Sequence, residues 1–195
     1  RRVLFRSLHE KWRSYARITG VPQGSNPYAR AKRVQLIEKD LERAVRLFKQ
    51  AIQDGDNVES AIKDLASVYV QLGQTENAIK VLTQHKSKIH DPQSVDNLLI
   101  GFYQKAEQYQ NAVGLLRKQL AVAKTNDRKA HFLSQIGTCL LRQGDYVDAE
   151  RSFREVLSLQ PNNQIAKRNI AICLFNQERL DEAEVLLNQI LDVAL

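Results

Sequence analysis

An alanine returns along this chain at a nearly fixed interval. Ala44, Ala78, Ala112, Ala149 and Ala183 are separated by 34, 34, 37 and 34 residues, and four residues after each stands Phe48, Leu82, Leu116, Phe153 or Leu187. Four residues is just over one helical turn, so each small residue and its large partner share a helix face. Their recurrence at a period of 34 predicts stacked helix-turn-helix units, each burying its apolar face only against its neighbours. Such solenoids expose extended surfaces that bind other proteins, and they rarely carry out chemistry.

The length of 195 residues is enough for one sizeable core or a short row of such units, and 43% hydrophobic content argues against disorder throughout. No apolar run is long enough to span a bilayer. Arg1–Leu8 lacks the apolar stretch and cleavage site of a signal peptide, so none is expected. The chain opens with Arg and stops in mid-pattern at Val193-Ala194-Leu195, which reads as a piece of something longer.

The net charge of +7 is uneven. Residues 1–50 hold 13 Lys and Arg against 4 Asp and Glu, whereas residues 51–195 hold 16 against 18. A basic first quarter could attract an acidic partner, a nucleic acid or an anionic surface. Without interleaved aromatics its simplest reading is a solvated helix face. The two cysteines, Cys139 and Cys173, are 34 residues apart and so occupy the same position of successive units. They read as small apolar core residues with no disulfide, which suits a reducing, intracellular compartment and leaves nucleus and cytoplasm open.

The clearest unit begins near Ala130, with Leu133, Ile136, Gly137 and Leu140, then Ala149, Phe153, Val156 and Pro161. Gly137 and Ala149 are expected to let the two helices approach closely, with Phe153 filling the gap between units. Pro161 ends the second helix because it cannot continue the hydrogen-bond ladder, and Gly144 sits where a helix C-terminus favours glycine. Other units start near Ser25, Glu59, Gln93 and Gln164. The one at Gln93 is less regular, with Ile100 where a small residue is expected. Three extra residues around Thr125-Asn126-Asp127 are expected to lengthen the loop between the third and fourth units. This pattern resembles the tetratricopeptide repeat (TPR), which implies an all-α, right-handed superhelical solenoid. Its repeats would lie near 25–58, 59–92, 93–129, 130–163 and 164–195, after a basic N-terminal helix and linker over 1–24.

Within that N-terminal part, Leu4, Leu8, Trp12 and Tyr15 fall on one face of a helix predicted over Val3–Ile18. It is read as a cap on the stack, with Trp12 as its anchor. At the other end Leu186, Leu187, Ile190, Leu191 and Val193 are expected to leave apolar surface exposed. More chain, a bound partner or a second copy would have to cover it, so homo-oligomers through terminal faces are one expectation.

No catalytic, metal-binding or cofactor-binding pattern stands out. There is no phosphate-cradling glycine loop, no HExxH among His9, His85, His90 and His131, no CxxC and no Gly-x-Ser-x-Gly elbow. In the TPR register, positions 2, 5, 9, 12 and 13 of each first helix face the concave groove. These positions include Arg33, then Lys63 and Ser67, then Asn97, Gln104 and Lys105, then Ser134, Thr138 and Arg142, then Arg168, Phe175 and Asn176. Cations there can pair with carboxylates or phosphates, amides can satisfy an extended backbone, and Phe175 can wall an apolar pocket. The set favours an acidic or phosphorylated peptide. The two-carboxylate clamp of chaperone-binding TPR proteins is missing, because Lys63 is followed by Ser67, Leu98, His131 and Gln135 at its key positions.

A closer likeness lies in Val21–Lys32, Gln35–Asp40, Gly55-Asp56, Ser60–Asp64 and Ser94–Ile100. These stretches resemble the plant MALE STERILITY/POLLENLESS and sulfur-deficiency-induced TPR family. The resemblance implies a non-enzymatic, intracellular and often nuclear regulatory adaptor. The chain departs from that family's pattern at Phe48-Lys49-Gln50-Ala51, where Trp is usual, and in a reduced insertion near Thr125. The expected function is therefore a scaffold that binds a peptide or helix of a protein partner. Two alternatives stand beside it: nucleic-acid association through the basic Arg1–Lys49, and the scaffold part of a larger multidomain protein.

Overall fold

Side-chain caps open several helices of the described residues. The computed structural model describes residue 22 and residues 24–191; the helix expected over Val3–Ile18, its Trp12 and Val193 lie outside the described residues. Asn26 opens α1 (Pro27–Arg33) by accepting a hydrogen bond from the Ala29 N–H, with Pro27 in the first turn where its missing N–H costs nothing. A π-helical turn, Val34–Glu38, continues it. Then come α2 (Leu41–Gln53), α3 (Val58–Gln71), α4 (Thr75–Gln84), a 3-10 turn (Lys86–Lys88), α5 (Pro92–Lys105) and α6 (Tyr109–Ala121). The last four are α7 (Asn126–Gln143), α8 (Tyr146–Leu159), α9 (Gln164–Asn176) and α10 (Leu180–Leu191). Asp40, Thr125, Asp145 and Asn163 cap α2, α7, α8 and α9 with a side-chain oxygen. No strand occurs among the described residues.

The ten α-helices of the described residues form five consecutive pairs. Within each pair one residue at the turn takes a left-handed conformation: Lys39, Gly73, Glu107, Gly144 and Glu178. Their spacing of 34, 34, 37 and 34 matches that of the alanines. In four of the turns the following N–H reaches back to the last helical turn, as in Asp145 to the Leu140 carbonyl at 2.9 Å and Arg179 to the Leu174 carbonyl at 3.0 Å. This is the Schellman closure, which satisfies helix-end carbonyls. Only two of the five turns carry glycine, so three side chains occupy a backbone region that glycine fills at least cost.

The extra residues near Thr125 correct an expectation. They do not lengthen a loop. Thr125 caps α7, and its 18 residues absorb the insertion as an added N-terminal turn, where α5 has 14 residues and α9 has 13. Asn126 to Ala130 hold no Pro or Gly to stop the helix, and the Arg128 N–H bonds to Thr125 Oγ1 at 3.3 Å.

The chain forms two compact units, one ending at Val95 and the other starting at Asp96, inside α5. In the first, Phe48, Ile62, Leu65 and Val68 are fully buried. Tyr28 packs tilted on Phe48 with ring centres 6.0 Å apart. Its backbone N–H, an orphan donor of the α1 N-terminus, goes to Asp56 Oδ2 at 2.8 Å, and its hydroxyl to Asp64 Oδ2 at 2.9 Å. Lys32 Nζ lies 3.1 Å from the other oxygen of Asp64. Burial, then the Asp64 charge and hydrogen bond, push the Tyr28 phenol up to about 12. These partners, Tyr28, Lys32, Asp56 and Asp64, all fall in the stretches that carry the closer family likeness.

In the second unit the core runs through Leu116, Ile136, Phe153, Val156, Ile170 and Leu174. Gly137 lies directly beneath the Phe153 ring: a Cβ there would stand 2.8 Å from its Cζ. Cys139 and Cys173 are both free and buried. Burial raises both thiols, Cys173 to about 11, so they stay protonated and serve as packing. Glu150 is buried on α8 and bonded by Arg154 Nε at 2.7 Å, Gln177 Nε2 at 2.9 Å and Arg179 Nη1 at 2.8 Å. Arg179 in turn clasps Glu182 at 2.7 and 2.6 Å. The α9–α10 turn is thereby bolted to α8.

Candidate peptide-binding face

The expected groove residues are placed differently in the two units. In the first, Lys63 on α3 is not an open cation: its Nζ sits 2.7 Å from Glu59 Oε1, one turn earlier. Glu59 also accepts the His90 N–H at 3.1 Å and lies 3.0 Å from His90 Nδ1. Hydrogen bonds from Lys63 and then His90 hold the Glu59 carboxyl down at about 2. Ser67 is half-buried one turn further along. Arg33, also half-buried, donates from Nη2 to the Gly24 carbonyl at 3.3 Å.

On α5, Asn97 and Gln104 bond inside the fold. Asn97 Oδ1 accepts from Nε2 of the buried Gln119 at 2.8 Å, and Gln104 Nε2 points at Cys139 Sγ at 3.3 Å. Lys105, at the end of α5, is exposed. On α7, Ser134 and Thr138 are half-buried and tied together, the Thr138 hydroxyl donating to the Ser134 carbonyl at 2.8 Å. Arg142, two turns beyond Ser134 on the same face, is exposed.

The most open face belongs to α9. Arg168, Phe175 and Asn176 are all exposed there, with Asn176 Nδ2 turned back to the Ile172 carbonyl at 2.8 Å. Sequence reasoning missed two neighbours on that face. Ile165 is 62% exposed and Ile172 is 40%, beside Phe175 at 65%. Residues 165, 168, 172 and 175 follow i, i+3, i+7 and i+10, so they make one stripe. The signal was present: Ile165 and Ile172 occupy positions 2 and 9 of their unit, but apolar residues at a helix middle read first as core. No acidic residue lies on α9, and neither Arg142 nor Arg168 forms an ion pair among the described residues. The stripe thus offers an apolar strip with a cation in it, able to seat aliphatic side chains and a carboxylate or phosphate.

Models of the tetratricopeptide repeat match residues 35–99 and 140–194, and residues 92–162. The chain belongs to the tetratricopeptide-repeat family. Among its TPR relatives, POLLENLESS 3-LIKE 2 of Arabidopsis thaliana is 34% identical over 202 residues, covering 91% of this chain and 47% of that protein. SULFUR DEFICIENCY-INDUCED 1 of the same plant is 32% identical over 197 residues, covering 88% and 64%. The chain therefore spans about half the length of POLLENLESS 3-LIKE 2. Among solved structures, MamA from Desulfovibrio magneticus superposes with a TM-score of 0.64 at 14% identity, over 89% of this chain and 97% of that one. YrrB, described as a TPR protein with an unusual peptide-binding site, gives 0.60 at 21% identity over 84% and 82%. At such identities these neighbours speak for the fold alone. No helix of the described residues is long and apolar enough to cross a membrane.

Proposed function

We propose that this TPR chain is a non-enzymatic adaptor that binds an acidic or phosphorylated segment of a protein partner. Its main contacts are on the first helices of the unit that starts at Asp96. One observation carries the reading: α9 exposes Ile165, Ile172 and Phe175 around Arg168 with no acidic residue among them. A folded surface that leaves large apolar side chains in water beside an unpaired cation is built to be covered. Lys105 and Arg142, exposed on α5 and α7, add to the positive character of the first helices. The reading of an intracellular regulatory role draws support from the sequence likeness to POLLENLESS 3 and the SULFUR DEFICIENCY-INDUCED proteins.

Affinity purification from cell extract, with and without nuclease, tests this. Wild type is run beside Arg142→Glu/Arg168→Glu/Phe175→Ala, whose helicity is first checked by circular dichroism. The expected result is a protein retained by wild type, lost from the variant and indifferent to nuclease. Retention that ignores the three changes and disappears with nuclease overturns the reading and moves function to the basic first quarter, where phosphate contacts would make binding steeply salt-dependent.

A further inference from the structure

The second helices of this fold carry one repeated stripe. Its residues are Leu41, Val45, Phe48 and Ile52 on α2, and the same positions recur as Tyr146, Glu150, Phe153 and Leu157 on α8 and as Leu180, Glu184, Leu187 and Leu191 on α10. At the third place of the stripe, Phe48, Leu82 and Leu116 are 0% exposed and Phe153 is 1%. Leu187, in that place on α10, is 45% exposed, with Leu180 at 56% and Leu191 at 60%. The stripe is thus a packing surface in its design, and among the described residues nothing covers it at α10.

What covers the stripe on α8 shows what α10 would accept. There the second place is Glu150, buried and held by Arg179 Nη1 and Gln177 Nε2. Glu184 occupies the same place on α10 and is exposed, next to an exposed Asp181. The whole of Leu180–Leu191 holds three acids, Asp181, Glu182 and Glu184, and no Lys or Arg. The fitting occupant is therefore a helix with an apolar row and cations beside it.

The sequence contains such a segment. Leu4, Leu8, Trp12 and Tyr15 recur at the spacing of one helix face, and residues 1–20 hold six Lys and Arg against one Glu. We propose that residues 3–18 of a second copy dock on the α10 stripe, with Trp12 against Leu187 and a basic side chain against Glu184. The contact is heterologous, so each copy keeps one free segment and one free stripe, and association continues beyond two. This surface is separate from the α9 stripe, and the proposal stands independently of peptide binding there.

The test uses the 195-residue chain in light scattering after size exclusion over a range of concentrations. Wild type is expected to grow in mass with concentration. Leu187→Glu, with unchanged helicity, and a chain lacking residues 1–20, with an unchanged cooperative unfolding transition, should each be monomeric, since each has lost one half of the contact. Mixed together they should form a 1:1 pair that stops at two, because the intact segment of one meets the intact stripe of the other. Glu184→Arg should weaken wild-type association, and combining it with Arg13→Glu should restore part of it. A wild-type chain that stays monomeric, self-association that survives removal of residues 1–20, or a mixture that fails to pair overturns the proposal.

Discussion

Gly137 is the position where one methyl group would do most harm. A Cβ would stand 2.8 to 2.9 Å from three carbons of the Phe153 ring, and that ring is buried on every side. Gly137→Ala should therefore destabilise the fold by about 1–3 kcal/mol through overpacking, outweighing its helical gain. Gly114 is the internal control: exposed on α6, it meets nothing within 4 Å, and Gly114→Ala should stabilise by about 0.5–1 kcal/mol. Denaturant midpoints of the two variants should move in opposite directions. The left-handed turn residues give a second expectation. Glu107, at φ 59°, sits where Gly73 and Gly144 sit in their own turns. Glu107→Gly should raise the unfolding free energy by up to about 1 kcal/mol and the midpoint with it, since glycine enters that region without the side-chain penalty. Equal midpoints for Glu107→Gly and wild type would show that the turn relieves the strain some other way.

Among the helices, the junction of α8 with the α9–α10 turn depends on Glu150. Burial alone would push this carboxyl up, but hydrogen bonds from Gln177 and Arg154 and the charges of Arg154 and Arg179 outweigh it and hold it below its usual value of 4.5. A folded-state pKa below the unfolded one means stability that is present above 4.5 and lost as pH falls through the folded value. Glu150→Gln should lower the unfolding free energy at neutral pH by about 1–2 kcal/mol, and it should flatten the acid-side fall. Parallel acid-side curves for the two proteins would place the pH dependence elsewhere. The cap of α7 belongs to this scale too. Thr125→Ala should cost about 1 kcal/mol, because the N-terminal turn that absorbs the insertion begins there. Amide exchange should report it, with protection falling first at Arg128 and its neighbours.

For the molecule as a whole, charge is sorted by element. α9 carries Lys167 and Arg168 without an acid, and α10 carries three acids without a cation. The basic excess of the first 50 residues is a third, separate block. Removing residues 1–20 should therefore shorten retention on a heparin column sharply while leaving affinity for an acidic partner segment within about twofold, since none of the proposed contact residues on α5, α7 and α9 is removed. A parallel loss of both would tie partner binding to the basic block. Within the sorting by element, legibility differed by residue. The helices were plain in the sequence because the spacing from each alanine to its large apolar partner obeys the helical period. Arg142, Arg168 and Phe175 were plain because a repeat fixes which face a position takes. Lys63, Asn97 and Gln104 fall in the same register, yet Glu59, Gln119 and Cys139 occupy their polar atoms. Those partners lie 4, 22 and 35 residues away, and no local pattern announces the longer two.

The sequence by itself determined the class of fold, the period of its units and the family. These follow from local spacing, since in a repeat each unit answers to its immediate neighbours and their order is the order of the chain. Only the tertiary structure decided which polar groups are consumed by packing, that the residues near Thr125 lengthen a helix, and that three turns hold a side chain in a left-handed backbone. It also decided that Glu150 is buried and paired whereas Glu184 is exposed. Burial and pairing depend on what stands opposite a residue in space, and the same Glu reads identically at 150 and 184 until its neighbours are known.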